Sequence, residues 1–104
     1  MQKVFRTKNQ WTQKADCRDK DGRAININFL DESNVKHIKS FSLYGAVSYY
    51  FSFEKDHLRR YKTMSALRNA IRDYTGKDLG VAEFNNLPTT TFEDIKKVIK
   101  KANV

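Results

Sequence analysis

Arg59, Arg60, Tyr61, Lys62, Arg68 and Arg72 fall in a stretch, residues 57–72, that contains no carboxylate. It holds four of the chain's seven arginines, in a protein of formal net charge +8. A guanidinium is a planar fork that binds phosphate bidentately and stacks on bases. A cluster of them with no acidic residue inside it therefore suits contact with a nucleic-acid backbone, while the flanking Asp56 and Asp73 also fit solvated side chains that keep a sheet edge soluble. Tyr61 and Tyr50 offer aromatic faces on which a base can stack. A second basic set, Lys96, Lys97, Lys100 and Lys101, lies at helical spacing opposite Ile95, Val98 and Ile99. Such a row can follow a phosphate backbone with steep salt dependence. Solubility and the helix dipole place lysines there as well.

Other chemistry is poorly supplied. The run from Cys17 to Gly22 has the outline of a calcium loop. With Gly22 as its sixth residue, however, Cys17 and Asn28 stand where an acidic first ligand and a bidentate Glu belong. Arg18, Lys20 and Arg23 also oppose a cation, so the run reads as a hairpin turn. One cysteine and two histidines, His37 and His57, fall short of a closed zinc site. No spacing joins a nucleophile, a base and an orienting group. The nearest approach to an active site is the scattered set Asp56, His57 and Arg60. The expectation is a non-enzyme with neither cofactor nor metal.

The elements that must position these residues follow from hydrophobic pattern. Trp11, Ala15 and Cys17 alternate with Thr12, Asp16 and Arg18, which predicts a half-buried strand. Asp21-Gly22 signals a two-residue hairpin. Beyond it Ile25, Ile27 and Phe29 alternate with Asn26 and Asn28, as in a returning strand over 24–30. Another strand is expected at 36–43, with Phe41 and Leu43 inward. After a turn at Gly45, Val47, Tyr49, Phe51 and Phe53 alternate with Ser48, Tyr50 and Ser52, reading as a further strand with Tyr50 exposed. Glu54-Lys55-Asp56 reads as a hairpin tip leading to a short strand at 58–62, and residues 1–7 as an edge strand.

Two helices are predicted next. The first begins at Thr63 or Ser65, buries Met64, Leu67, Ala70, Ile71 and Tyr74, and ends before Gly76. Residues 81–84 read as a short extended piece. Thr90 with Glu93 and Thr91 with Asp94 form two overlapping capping boxes ahead of a helix burying Phe92, Ile95, Val98, Ile99 and Ala102. Strands followed by helices predict a single α+β domain over residues 1–104. It has a mainly antiparallel sheet of about five strands (residues 10–62) and two helices (64–75 and 91–102) packed on one face.

The single cysteine excludes an internal disulfide, and no apolar run approaches the roughly 20 residues of a membrane span. A cytoplasmic protein without membrane partners is expected. No segment matches a helix-turn-helix, zinc-finger, RNP or KH signature. Charge and pattern point to a small basic accessory protein that binds nucleic acid, DNA or RNA, through a strand–helix face. Arg59, Arg60, Lys62, Arg68 and Arg72 would contact phosphates, assisted by Tyr50, Tyr61, Lys97 and Lys101. The alternative is a regulator or inhibitor of phage or mobile-element type that docks on an acidic protein.

Overall fold

A computed structural model describes residues 1–51 and 53–104, and for residues 53–56 the backbone alone. Three strands, β1 (Cys17–Asp19), β2 (Ala24–Ile25) and β3 (Ile38–Phe41), form an antiparallel sheet in the order β2-β1-β3. Four helices follow: α1 (Leu43–Tyr50), α2 (Phe53–Thr75), α3 (Val81–Asn85) and α4 (Phe92–Ala102). The α+β class is as expected, but the balance has moved from strand to helix.

The hairpin around Asp21-Gly22 forms, with Gly22 at φ +82° and Cys17 paired with Ile25. Its arms are shorter than the alternation suggests. Past Ile25, Asn26 accepts a hydrogen bond at its Oδ1 from the Asn28 amide at 2.8 Å and starts a 3-10 turn, Ile27–Phe29. This local side-chain bond competes with strand pairing, and Phe29 is left 73% exposed instead of inward. On the other arm, Lys14 takes a left-handed φ of 63° that breaks the expected strand, and Trp11 keeps one isolated parallel bridge to Phe41. Residues 1–7 form turns and no edge strand, although Phe5 reaches the core.

The larger correction lies between residues 43 and 62. The expected strand from Val47 to Phe53 is instead the end of helix α1, with Phe51 at its C-cap and Phe53 opening α2, while Ser52 lies outside the described residues. Leu43, Ala46 and Val47 are fully buried at spacings of three and four, a helical period that the two-residue alternation concealed. Ser42 caps the helix by accepting the Gly45 amide at 2.9 Å. Gly45 is no turn residue. A Cβ there would stand 2.0 Å from the Asp16 carbonyl oxygen, so its lack of a side chain lets α1 lie against the loop before β1.

The expected hairpin tip and strand at 54–62 are the first turns of α2. Leu, Arg, Lys, Met and Ala are strong helix formers, and the buried stripe Leu67, Ala70, Ile71 runs back to Thr63, which is 7% exposed in mid-helix. Thr63 is thus part of the packed face and caps nothing. Gly76 ends the helix at φ +75°, its amide bonded to the Arg72 carbonyl at 2.8 Å. The segment expected to be extended at 81–84 is the short helix α3. For α4 the operative capping box is Thr91 with Asp94: Asp94 accepts the Thr91 amide at 2.8 Å and Thr91 accepts the Asp94 amide at 3.2 Å. Thr90 is buried and donates to the Phe84 carbonyl at 2.7 Å.

α2 packs on α4, α1 and α3, so the core is built mainly between helices, and the sheet joins it through β3 and α1. Asn85 is the polar hub of this core. Its side chain is 0% exposed yet fully engaged. Its Oδ1 accepts from Trp11 Nε1 at 2.8 Å and from the Leu43 amide at 2.9 Å. Its Nδ2 donates to the Thr12 carbonyl at 3.1 Å and to Asn86 Oδ1 at 3.0 Å. One residue thereby ties the N-terminal loop, the start of α1 and α3 together.

Candidate functional site

α2 decides which basic residues can act together. At 3.6 residues per turn, Tyr61, Arg68 and Arg72 fall within a sector roughly 40° wide, directed away from the buried stripe of Thr63, Leu67, Ala70 and Ile71. Leu58 lies roughly 40° beyond one edge of that sector and Lys62 roughly 80° beyond it. All five are exposed, Tyr61 at 70% and Leu58 at 59%. A strand over 58–62 would have sent Tyr61 and Lys62 to opposite faces; the helix puts both on its outer side.

Arg59 and Arg60, by contrast, project toward α1. Arg59 lies over the Phe51 ring at 5.3 Å. Arg60 is half-buried, over the Tyr44 ring at 5.9 Å, and donates to Ser48 Oγ at 3.1 Å and Tyr44 Oη at 3.3 Å. These two arginines join α2 to α1. Tyr50 ends α1 at 49% exposure, packed edge-on against Tyr49 at 4.9 Å and against Phe41 at 5.9 Å. It is therefore an exposed side chain, as expected, but on a helix.

Arg68 Nε and Arg72 Nη2 both approach Asp78 Oδ1, at 3.5 and 3.6 Å. The side chains are more than half exposed, so these pairs are weak and readily exchanged for another anion. Asp78, six residues beyond Arg72, is a partner the sequence reading missed. Only the turn at Gly76 folds it back onto the helix, and no spacing rule announces that.

The lysine row of α4 forms as expected, with Lys96, Lys97, Lys100 and Lys101 all exposed. Lys96 pairs with Glu93 at 3.5 Å and lies over the Phe92 ring at 5.4 Å. Lys96, Lys97 and Lys100 do not join the arginines at Asp78. With Arg6 they border a cleft of about 400 Å³ between the N-terminal segment and α4. A wider depression of about 560 Å³ crosses β1 and β3 and is edged by Lys8, Lys20 and Lys39. Arg18 also lines it, but its guanidinium is bound to Thr12 Oγ1 at 2.8 Å, the Gly22 carbonyl at 3.0 Å and the Gln13 carbonyl at 3.1 Å.

Burial, followed by the nearby Asp16 charge, raises the Cys17 thiol to about 11. It donates to the Ile25 carbonyl at 3.3 Å and is a neutral core group at physiological pH. Among the described residues, no three His, Cys, Asp or Glu side chains come together in a way that could hold a metal ion. The Asp56 side chain, one member of the scattered set considered above, lies outside the described residues. No helix among the described residues is long and apolar enough to cross a membrane.

No curated protein and no solved structure matches the chain. A family model does match, over residues 3–103: the protein belongs to the family described as Family of unknown function (DUF6197).

Proposed function

We propose that the protein binds nucleic acid through the outer face of α2, as a binding protein and not an enzyme. The observation that carries this reading is the single exposed row of Tyr61, Arg68 and Arg72, with Lys62 beside it, on a 23-residue helix. Arg68 and Arg72 are one turn apart, roughly 6 Å along the axis at 1.5 Å per residue. That rise is about two nucleotides of one strand, so the two guanidinium groups can grip phosphates about two nucleotides apart. Tyr61 lies two to three turns away and supplies a flat surface to a base. Asp78 then acts as an internal competitor that a phosphate displaces.

Titration of single- and double-stranded oligonucleotides by fluorescence anisotropy at several salt concentrations tests this. Each neutralised phosphate contributes a slope of about −0.9 in log K against log salt for duplex DNA, so Arg68→Gln with Arg72→Gln should flatten the slope by roughly two. Asp78→Asn, which releases both arginines, should strengthen binding. Absence of binding to both probes at low salt, or an unchanged slope in the double variant, removes the proposal.

The exposed pair Leu58 and Tyr61 favours one alternative occupant of the same face, an acidic protein with an apolar stripe. That partner would remain bound after nuclease treatment at fixed stoichiometry, and Leu58→Ser would weaken it while leaving oligonucleotide affinity unchanged.

A further inference from the structure

The cleft between the N-terminal segment and α4 takes no part in the reading above. Phe5 and Ile99, 2% and 1% exposed, form its apolar floor, and Arg6, Lys96, Lys97 and Lys100 stand around it against one carboxylate, Glu93. Its volume of about 400 Å³ lies within the roughly 300–1,000 Å³ of small-ligand sites.

Both walls are held in place. On one side, Phe5 is anchored in the core, and Gln10 Oε1 accepts the amides of Arg6 at 2.7 Å and Thr7 at 2.9 Å, fixing the backbone that carries Arg6. On the other, α4 is capped and buries Ile95, Val98 and Ile99. Glu93 is already engaged by Lys96. Among the described residues, Arg6 and Lys100 therefore line the cleft without a carboxylate in ion-pair contact. Lys97 lies near Asp94, whose carboxyl is held below its usual range by the Thr91 amide first and the Lys97 charge last. These basic side chains are exposed, so solvent screens their mutual repulsion, and an anion of charge near −2 matches the two, Arg6 and Lys100, that have no such contact.

We propose that this cleft binds a phosphomonoester carried on an apolar or aromatic body. Arg6 and Lys100 take the phosphate, and the body lies over Phe5 and Ile99. The dianion distinguishes this ligand from a simple carboxylate, which would leave half of that positive charge uncompensated. A free nucleotide and the phosphorylated end of a nucleic-acid strand both present this chemistry. The site does not depend on the α2 face.

Calorimetric titration of the full chain with adenosine 5′-monophosphate, adenosine and inorganic phosphate provides the test. The nucleotide should bind with one-to-one stoichiometry and more tightly than either fragment. Arg6→Gln with Lys100→Gln should weaken it by about tenfold or more, while Arg68→Gln with Arg72→Gln should leave it unchanged. Both basic side chains are exposed, and Lys100→Arg should retain binding, which separates loss of charge from loss of fold. In the Arg68/Arg72 variant, a preference for a 5′-phosphorylated over a 5′-hydroxyl oligonucleotide assigns the site to strand ends. Nucleotide binding without that preference assigns it to free nucleotide. No nucleotide binding at millimolar concentration, or binding indifferent to Arg6→Gln with Lys100→Gln, overturns the proposal.

Discussion

Asn85 shows how much of this fold rests on one polar side chain. It meets both donor and acceptor requirements at 0% exposure, and three of its partners, Trp11, Thr12 and Leu43, come from at least 42 residues away in sequence. Replacing it with Ala would leave the Leu43 amide at the start of α1, the Trp11 indole N–H and the Thr12 carbonyl without their partner, and would open a small void. Buried polar groups stripped of partners cost about 1–3 kcal/mol each, discounted where water reaches them. The expected loss for Asn85→Ala is about 3 kcal/mol by urea denaturation, near the upper end for a single substitution. A loss below about 1 kcal/mol would show that the hub is replaceable. The same reasoning explains why Gln13 matters beyond its exposed neighbours: its Nε2 donates to the carbonyls of Asn85 and Leu87, both at 2.9 Å, and closes the loop before α4.

At the scale of elements, the junction between α2 and α4 is packed by buried apolar residues and carries an exposed hydrogen bond at its edge, where the Tyr74 hydroxyl meets the Asp94 carboxylate at 2.7 Å. The Thr91 amide, then the Tyr74 hydroxyl, lowers the Asp94 carboxyl below its usual range, and the same hydrogen bond raises Tyr74. A lowered carboxyl contributes stability that is complete above its unfolded value, near 4, and is lost as pH falls through the folded value. A raised phenol contributes below its unfolded value, near 10, and loses that contribution as pH climbs through the folded value. Tyr74→Phe should therefore lower the melting temperature most at neutral pH, and the gap to the parent protein should close toward both extremes. A gap constant from acid to alkaline pH would count against this account.

This junction was partly legible in advance, since the Thr91-Asp94 box and the stripe of Ile95, Val98 and Ile99 give α4 almost to the residue. The hairpin at Gly22 and the end of α2 at Gly76 were legible for a similar reason: each is fixed by local backbone chemistry. α1 was not. Val47, Tyr49 and Phe51 alternate like a strand, while Leu43, Ala46 and Val47 repeat like a helix. Only the Ser42 cap and the tight approach of Gly45 to Asp16 decide between them, and the second is a tertiary contact. The basic segment was legible as a cluster but not as a surface, because strand and helix geometries send Arg59, Arg60, Tyr61 and Lys62 in different directions.

Across the whole molecule, the net charge of +8 is divided among separate surfaces: the outer row of α2, the cleft beside α4 and the depression edged by Lys8, Lys20 and Lys39. Arg59 and Arg60 lie on the side of α2 that meets α1, although Arg59 is exposed and Arg60 lines a small depression with Leu58 and Tyr61. Arg59 and Arg60 spend their charge on the rings and hydroxyls of α1, where cation–π and hydrogen-bond contacts together contribute about 1–2 kcal/mol. Arg68 and Arg72 hold one exposed carboxylate through long ion pairs, which contribute little to folding. The two pairs should therefore separate by readout. Arg59→Ala with Arg60→Ala should lower the melting temperature by about 4–8 °C per kcal/mol lost in a domain of this size, with the salt slope of oligonucleotide binding preserved. Arg68→Gln with Arg72→Gln should do the reverse, flattening the slope while the melting temperature stays close to that of the parent. Thermal denaturation and salt-dependent anisotropy on the same four proteins (parent, each double variant and their combination) decide the matter. If the Arg59/Arg60 variant flattens the slope at an unchanged melting temperature, the phosphate-binding face lies on the α1 side of α2 and the assignment of Arg68 and Arg72 fails.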